Sequence, residues 1–181
     1  MAKLNPALVK GVKVIFSDVD GILTDGSVFI GANHAEFKQF SMMDGSAVAL
    51  ARAAEIPIAL ISARSSDATT SRAEQLGIVD VYQGSLNKLE PYEALLKKYG
   101  VTDAEVAYLG DGYVDIPVME RVGVPISVPE AEPIVKALAV YITEHRGGQG
   151  VLLDAVKWIL TEQGRFDEVL TKLRKMIITV D

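Results

Sequence analysis

Cysteine is absent from the 181 residues, which excludes disulfides, thiolate nucleophiles and thiolate metal sites. Long apolar runs are absent too. The first strong one, Val12 to Phe16, is strand-sized, and none approaches the roughly 18–20 residues that span a bilayer. No basic excess exists: the formal charge is −6, which argues against nucleic acid or an anionic membrane as the main partner. An anionic substrate stays possible, because a few local cations and one bound metal invert the potential of a pocket. The opening MAKLNPALVKGVKVIF lacks an apolar stretch ending in a small-residue cleavage site, so the expected location is the cytoplasm. Neither a GxGxxG fingerprint nor a GxxxxGK[ST] phosphate loop occurs.

Apolar residues make up 49% of the chain, enough for a sizeable core. The length suits one domain over residues 1–181, with a hairpin insertion near 27–40 and a helical tail at 166–178. Strands are expected at 12–18, 56–62, within 79–84, at 105–111, 124–128 and 139–142. Helices are expected at 44–55, 66–77, 88–100, 114–120, from Pro133 to about Leu138, and in the segment 148–164. Gly77 and Gly100 are read as helix stops. Asp44 and one of Ser66 or Asp67 are read as helix caps. Strands alternating with helices of this length predict an α/β fold: a doubly wound, mostly parallel sheet with helices on both faces and a small β-hairpin flap.

In such a sheet the carboxyl ends of the strands hold the ligand. Asp18, Ser62 and Asp111 fall at or just beyond three expected strand ends, and Lys88 follows a fourth. Asp18 and Asp20 share one side of an extended chain, because side chains alternate with period two. Two close carboxylates bind a divalent cation, or one attacks phosphorus while the other exchanges a proton. A capping or turn role is the ordinary alternative. Asp111 and Asp115 repeat the theme four residues apart. Oxygen-only ligands favour Mg²⁺, held by Asp18, Asp111 and the main-chain carbonyl of Asp20. Asp25 is read as a turn former. Ser62 and Lys88 are the groups that meet phosphoryl oxygens. Asn87 orients Lys88 or, as the safer role, caps the helix behind it. His34 and His145 are read as turn residues rather than ligands.

On these residues the chain resembles the haloacid dehalogenase-like phosphohydrolases over nearly its full length. DVDGILTDG (18–26) matches their nucleophile motif and GDGYVD (110–115) their acidic metal motif. Within that superfamily it is similar to the phosphatases of 3-deoxy-D-manno-octulosonate 8-phosphate, through FKQFSMMDG, YQGSLNKL, GDGYVDIPVM and HRGGQG. The resemblance implies an Asp18–phosphate intermediate, Asp20 as acid and base, Mg²⁺, and a homotetramer in which the hairpins meet. It also implies that neighbouring subunits help close each site. Met42, Met43 and Asp44 are candidates to face such a neighbour, the methionines serving equally well as flexible core filler.

Two departures stand out. The usual Thr-Gly-Arg is Ser62-Ala63-Arg64, which keeps the hydroxyl. The usual Ala-Val-Arg-Glu after the glycine-rich loop is Val151-Leu152-Leu153-Asp154. Leu153 cannot form the bidentate bond an arginine makes with a carboxylate. That leaves Arg64, Arg146 and Gln149 to receive a substrate carboxylate. The leading expectation is therefore a phosphatase for a small phosphorylated sugar acid, in lipopolysaccharide biosynthesis. The alternatives are an aryl phosphate hydrolase, a subunit similar to the delta subunit of phenylphosphate carboxylase with carboxylase partners, and a non-catalytic phospholigand-binding subunit.

Overall fold

A computed structural model of the protein describes residues 5–178. In chain order the elements are α1 (Pro6–Lys10), β1 (Val14–Ser17), β2 (Phe29–Ile30), β3 (Glu36–Phe37), α2 (Met43–Ala53), β4 (Ile58–Ile61), α3 (Asp67–Leu76) and β5 (Asp80–Tyr82). Then come α4 (Leu89–Tyr99), β6 (Val106–Leu109), α5 (Ile116–Met119), β7 (Val124–Ser127), α6 (Pro133–Leu138), β8 (Tyr141–Ile142), α7 (Val151–Glu162) and α8 (Phe166–Ile178). Short 3₁₀ turns cover Ala32–His34, Asp103–Glu105 and Tyr113–Asp115.

The main sheet runs β5-β4-β1-β6-β7-β8, and every neighbouring pair is parallel. Strands β1, β4, β6 and β7 are buried at every position. That matches their continuous apolar sequences, because helices cover both faces. On one side α1, α2, α7 and α8 pack together, and on the other α4, α5 and α6. Phe16 of β1 meets Tyr92 of α4 edge-on at 5.9 Å between ring centroids, and Tyr141 of β8 stacks on Trp158 of α7 at 4.4 Å. Each large buried apolar side chain contributes on the order of 1.5–3 kcal/mol.

Register places the site. Ser17 pairs with Leu60 on one side and Leu109 on the other, so β1 and β6 end level and β4 one residue further on. The residues just past those ends are Asp18, Ser62 and Gly110-Asp111. Asp18 N–H donates to the Leu109 carbonyl at 2.9 Å, and Ser62 N–H to that of Tyr82 at 2.8 Å.

The expected hairpin is there as β2 and β3, antiparallel with Phe29 opposite Phe37. Gly77 and Gly100 end α3 and α4 in the left-handed conformation, as read from the sequence. Two capping expectations, Asp44 and Asn87, are corrected, and a third is met in position alone. Asp44 lies inside the first turn of α2, and the cap position is Met42. Ser66 occupies the cap position of α3, and Asp67 the first helical position, with no side-chain capping bond. Lys88 holds the cap position of α4, and Asn87 lies exposed, its carbonyl accepting from the Ser85 hydroxyl at 3.3 Å. Short helices of this kind follow from the tertiary path, which outweighs a modest capping energy. Helix α1 is an addition that the sequence reading passed over. Its signals are present: Asn5 caps it and Pro6 opens it.

Candidate active site

Three loops at the carboxyl edge bring charged groups into contact. Lys88 is buried, and its ammonium stands 2.8 Å from Asp18 Oδ1 and 2.7 Å from Asp115 Oδ1. Asp115 is fully buried and saturated. Its Oδ1 also accepts from the Tyr108 hydroxyl at 2.6 Å, and its Oδ2 from the N–H groups of Asp111 and Gly112 at 3.1 and 3.0 Å. On Asp18 both bonds fall on Oδ1, from Lys88 and from the Val19 N–H at 2.6 Å.

Carboxylate oxygens of Asp18, Asp111 and Asp115 lie within 4.8 Å of one another. Their charges are poorly compensated. Burial first, then repulsion from Asp115, pushes Asp18 up to about 8 against the pull of Lys88. The same two causes push Asp111 up to about 7. Burial pulls Lys88 down, yet Asp18 and Asp115 outweigh it and hold the lysine above its ordinary value. Burial and Asp115 also keep the Tyr108 phenol protonated well past its usual range.

Such a cluster fits a hard divalent cation. The backbone is cut to the same shape: a Cβ on Gly21, at φ 91°, would stand 2.1 Å from Asp111 Oδ2. Only glycine lets the loop after Asp18 close over that carboxylate. Since Asp115 has spent its lone pairs on four donors, Asp18 and Asp111 are the carboxylates left for a metal.

Comparison with known proteins agrees with this constellation. The family profile of haloacid dehalogenase-like hydrolases matches residues 54–153. A 3-deoxy-D-manno-octulosonate 8-phosphate phosphatase from Escherichia coli is 36% identical over 162 residues, spanning 90% of this chain and 86% of the relative. The chain belongs to the haloacid dehalogenase-like hydrolases. The crystal structure of 3-deoxy-D-manno-octulosonate 8-phosphate phosphatase from Moraxella catarrhalis, in complex with magnesium ion, phosphate ion and KDO molecule, has a TM-score of 0.87. It is 34% identical, covering 92% of this chain and 95% of that one. The cobalt-bound deoxy-D-mannose-octulosonate 8-phosphate phosphatase from Haemophilus influenzae has a TM-score of 0.85 at 31% identity, covering 91% and 99%. This haloacid dehalogenase-like hydrolase is a phosphatase, with a carboxylate cluster suited to a divalent cation.

Around this centre the other expected residues of the hydrolase are placed unevenly. Ser62 is buried at the strand end, where its hydroxyl accepts from the Arg64 N–H at 3.2 Å. Arg64 is exposed and its guanidinium pairs with Glu36 of the hairpin at 3.0 Å. Arg146 and Gln149 are exposed on the glycine-rich loop. That loop seats on the turn after Asp20, with Gly148 N–H donating to the Ile22 carbonyl at 3.0 Å. Gln149 lines a pocket of about 50 Å³ with Asp25 and Gln39. Asp25 is the turn former expected, accepting from the Ser27 N–H at 2.8 Å. Asp44 is closed off within its own chain at 1% exposure, and both its oxygens lack a hydrogen-bond partner. It therefore does not face outward, whereas Met42 does, at 82% exposure. His145 is a turn residue held by Asp154, with its Nδ1 3.0 Å from Oδ1. Leu153 packs half-buried against the core.

Two residues of this edge were missed from sequence. Tyr108 sits in a strand of uniform apolar character, so its hydroxyl left no periodic signal. Lys38 is in the hairpin, and its ammonium bonds Asp20 Oδ1 at 2.7 Å. The FKQF segment offered one clue, a lysine between two aromatics, without saying which carboxylate it meets.

Proposed function

We propose that this phosphatase hydrolyses 3-deoxy-D-manno-octulosonate 8-phosphate or a related sugar-acid phosphate through an aspartyl-phosphate intermediate. The observation that carries the chemistry is Lys88, which bridges Asp18 and the saturated Asp115. It fixes Asp18 Oδ1 and leaves Oδ2 to attack. The similarity to sugar-acid phosphatases at 36% identity supports the substrate class.

In the first step Asp18 Oδ2 bonds to phosphorus while the ester P–O bond breaks, and Asp20 gives the departing oxygen its proton. In the second, water gives a proton to Asp20 and its oxygen bonds to phosphorus. The phosphorus–Asp18 bond breaks and inorganic phosphate leaves. Lys88 and the Ser62 hydroxyl face the phosphoryl oxygens and offset their growing charge. The carboxylates of Asp18 and Asp111 and the Asp20 main-chain carbonyl would hold Mg²⁺, which would supply charge neutralisation between nucleophile and phosphate. Arg64, Arg146 and Gln149 form the proposed specificity set, and Asp44, closed off inside its own chain, is left out of it. Asn87 and Asp115 support Lys88. In this scheme the whole chain acts as one domain, with the hairpin as its flap.

Phe29, Ile30 and Phe37 are each more than 60% exposed on that hairpin. An apolar patch on so small an element favours burial between copies. This supports the homotetramer with shared sites, and the same reading includes a cytoplasmic enzyme and a place in lipopolysaccharide biosynthesis. No helix among the described residues is long and apolar enough to cross a membrane.

A second reading rests on Leu153. With leucine packed against the core and Arg64 engaged by Glu36, an aryl phosphate without a carboxylate suits the site as well. That substrate would bring the carboxylase-subunit role with it. Phosphate release from a panel of phosphorylated metabolites, with phenyl phosphate beside the octulosonate ester, tests both readings. Preference for the octulosonate ester supports the first. Preference for phenyl phosphate supports the second, and phosphate binding without release would leave only a ligand-binding subunit.

A further inference from the structure

The hairpin carries a cation to Asp20. Lys38 follows β3, and its side chain is fully buried. Its ammonium has three oxygen neighbours: Asp20 Oδ1 at 2.7 Å, the Thr69 hydroxyl of α3 at 3.4 Å, and Glu36 Oε1 at 3.7 Å. The second oxygen of Asp20 is different. Oδ2 is buried and has no hydrogen-bond partner. One carboxylate thus has one oxygen pinned by a charge-assisted bond and one free. An unmade hydrogen bond at a buried carboxylate oxygen is costly, and its persistence calls for a use.

Resting on the acid–base role proposed for Asp20, we infer that Lys38 is the positioning residue for that carboxylate. The ammonium fixes Oδ1, and Oδ2 becomes the oxygen that hands its proton to the departing ester oxygen as the Asp18–phosphorus bond forms. Since Lys38 belongs to the hairpin, the position of the flap sets the aim of the acid. Arg64 and Glu36 form the second tie between hairpin and body at 3.0 Å, so the segment is held where Lys38 reaches. A purely structural lysine would tie the hairpin down equally well. The two roles differ in what they do to the leaving group.

The test compares kcat/KM for p-nitrophenyl phosphate, whose phenolate departs without a proton, and phenyl phosphate, whose leaving group needs one. General acid assistance is worth about 10²–10⁴-fold. Lys38→Met is expected to lower kcat/KM for phenyl phosphate at least about tenfold more than for p-nitrophenyl phosphate, with Lys38→Arg restoring most of the difference. Equal losses on both esters would overturn the inference. If Lys38→Met does not fold by circular dichroism, Lys38→Gln carries the same comparison, since its neutral side chain is one bond shorter and loses the 2.7 Å ammonium contact with Asp20. Asp20→Asn separates the two levels of the argument. If it shows the leaving-group bias and the Lys38 variants do not, the inference about Lys38 alone fails. If Asp20→Asn shows no bias either, the acid–base reading of Asp20 fails with it.

Discussion

The two ends of the parallel sheet treat charge in opposite ways. At the amino end, Lys13 pairs with Glu105 at 2.5 Å just before β1 and β6, with the lysine side chain 65% exposed. Lys98 and Tyr99 likewise satisfy Asp80 at the start of β5. At the carboxyl end, one buried lysine faces Asp18 and Asp115, Asp111 crowds the same space, and Asp44 lies buried without a partner. The first arrangement lowers Glu105 to about 2, chiefly through its bond with Lys13 and then through Thr102. The second raises Asp18, Asp111 and Asp44. Paired charge with access to solvent, as at Lys13 and Glu105, is what a surface tolerates at little gain. Unbalanced, buried charge is retained where a cation and a phosphate will complete it.

The largest expected break in this contrast is Asp18→Asn. Phosphate release should fall by at least roughly 10⁴-fold, the scale for losing a nucleophile that acts with its partners as a unit. Normal turnover would remove Asp18 from the chemistry.

Next is Lys88→Met, which leaves two buried carboxylates facing each other. A loss of about 3–5 kcal/mol in denaturant unfolding without Mg²⁺ is expected, as for any buried pair stripped of one partner. Turnover should drop about 10²–10³-fold, the range for one lost charge-stabilising donor. A variant as stable as the parent would mean that the carboxyl end is no more strained than the amino end.

Asp44→Asn probes the same end by pH. Burial raises this carboxyl to about 6, against the partial opposition of Arg72. The folded form holds a proton that the unfolded chain releases near 4, so this contribution is full below about pH 4 and is lost as pH rises through about 6. The span is on the order of 2–3 kcal/mol, and asparagine should flatten that segment of the stability–pH curve. An unchanged slope would place its source elsewhere.

Tyr108→Phe removes one of four donors to Asp115. A stability change of about 1–2 kcal/mol is expected, with a smaller loss of turnover than for Lys88→Met. A loss as large as that of Lys88→Met would move Tyr108 to the centre of the network.

The smallest effect belongs to Glu105→Gln. Turnover should stay at the parent value. Stability should differ only in acid, since the depressed carboxyl contributes above about 4.5 and loses that contribution as pH falls toward about 2. A fall in turnover would show that the two ends are coupled.

Much of this was legible in the chain. The apolar strands, the glycine stops of α3 and α4, the hairpin, and the clustering of Asp18, Ser62, Lys88 and Asp111 at one edge all follow from periodicity and strand-end logic. Caps were less legible. Asp44, Ser66 and Asn87 have the right chemistry for helix starts, but the cap positions fell elsewhere or formed without their side-chain bonds, because the path of the chain between strands set where each helix begins. Lys38 and Tyr108 were illegible for a different reason. Each acts through a partner on another element, Asp20 lying 18 residues from Lys38 and Asp115 seven from Tyr108, and no local pattern records which buried oxygen a side chain will meet.

By itself, the sequence determined the strand–helix alternation and the carboxylates at the strand ends, since these depend on residue type and local geometry. The tertiary structure alone decided how the charges divide: Asp115 saturated, Asp18 and Asp111 left over, Asp20 tied to the hairpin and Arg64 to Glu36. Burial and register set those distances, and at separations below 3 Å in a water-poor interior they fix which oxygen is free to react.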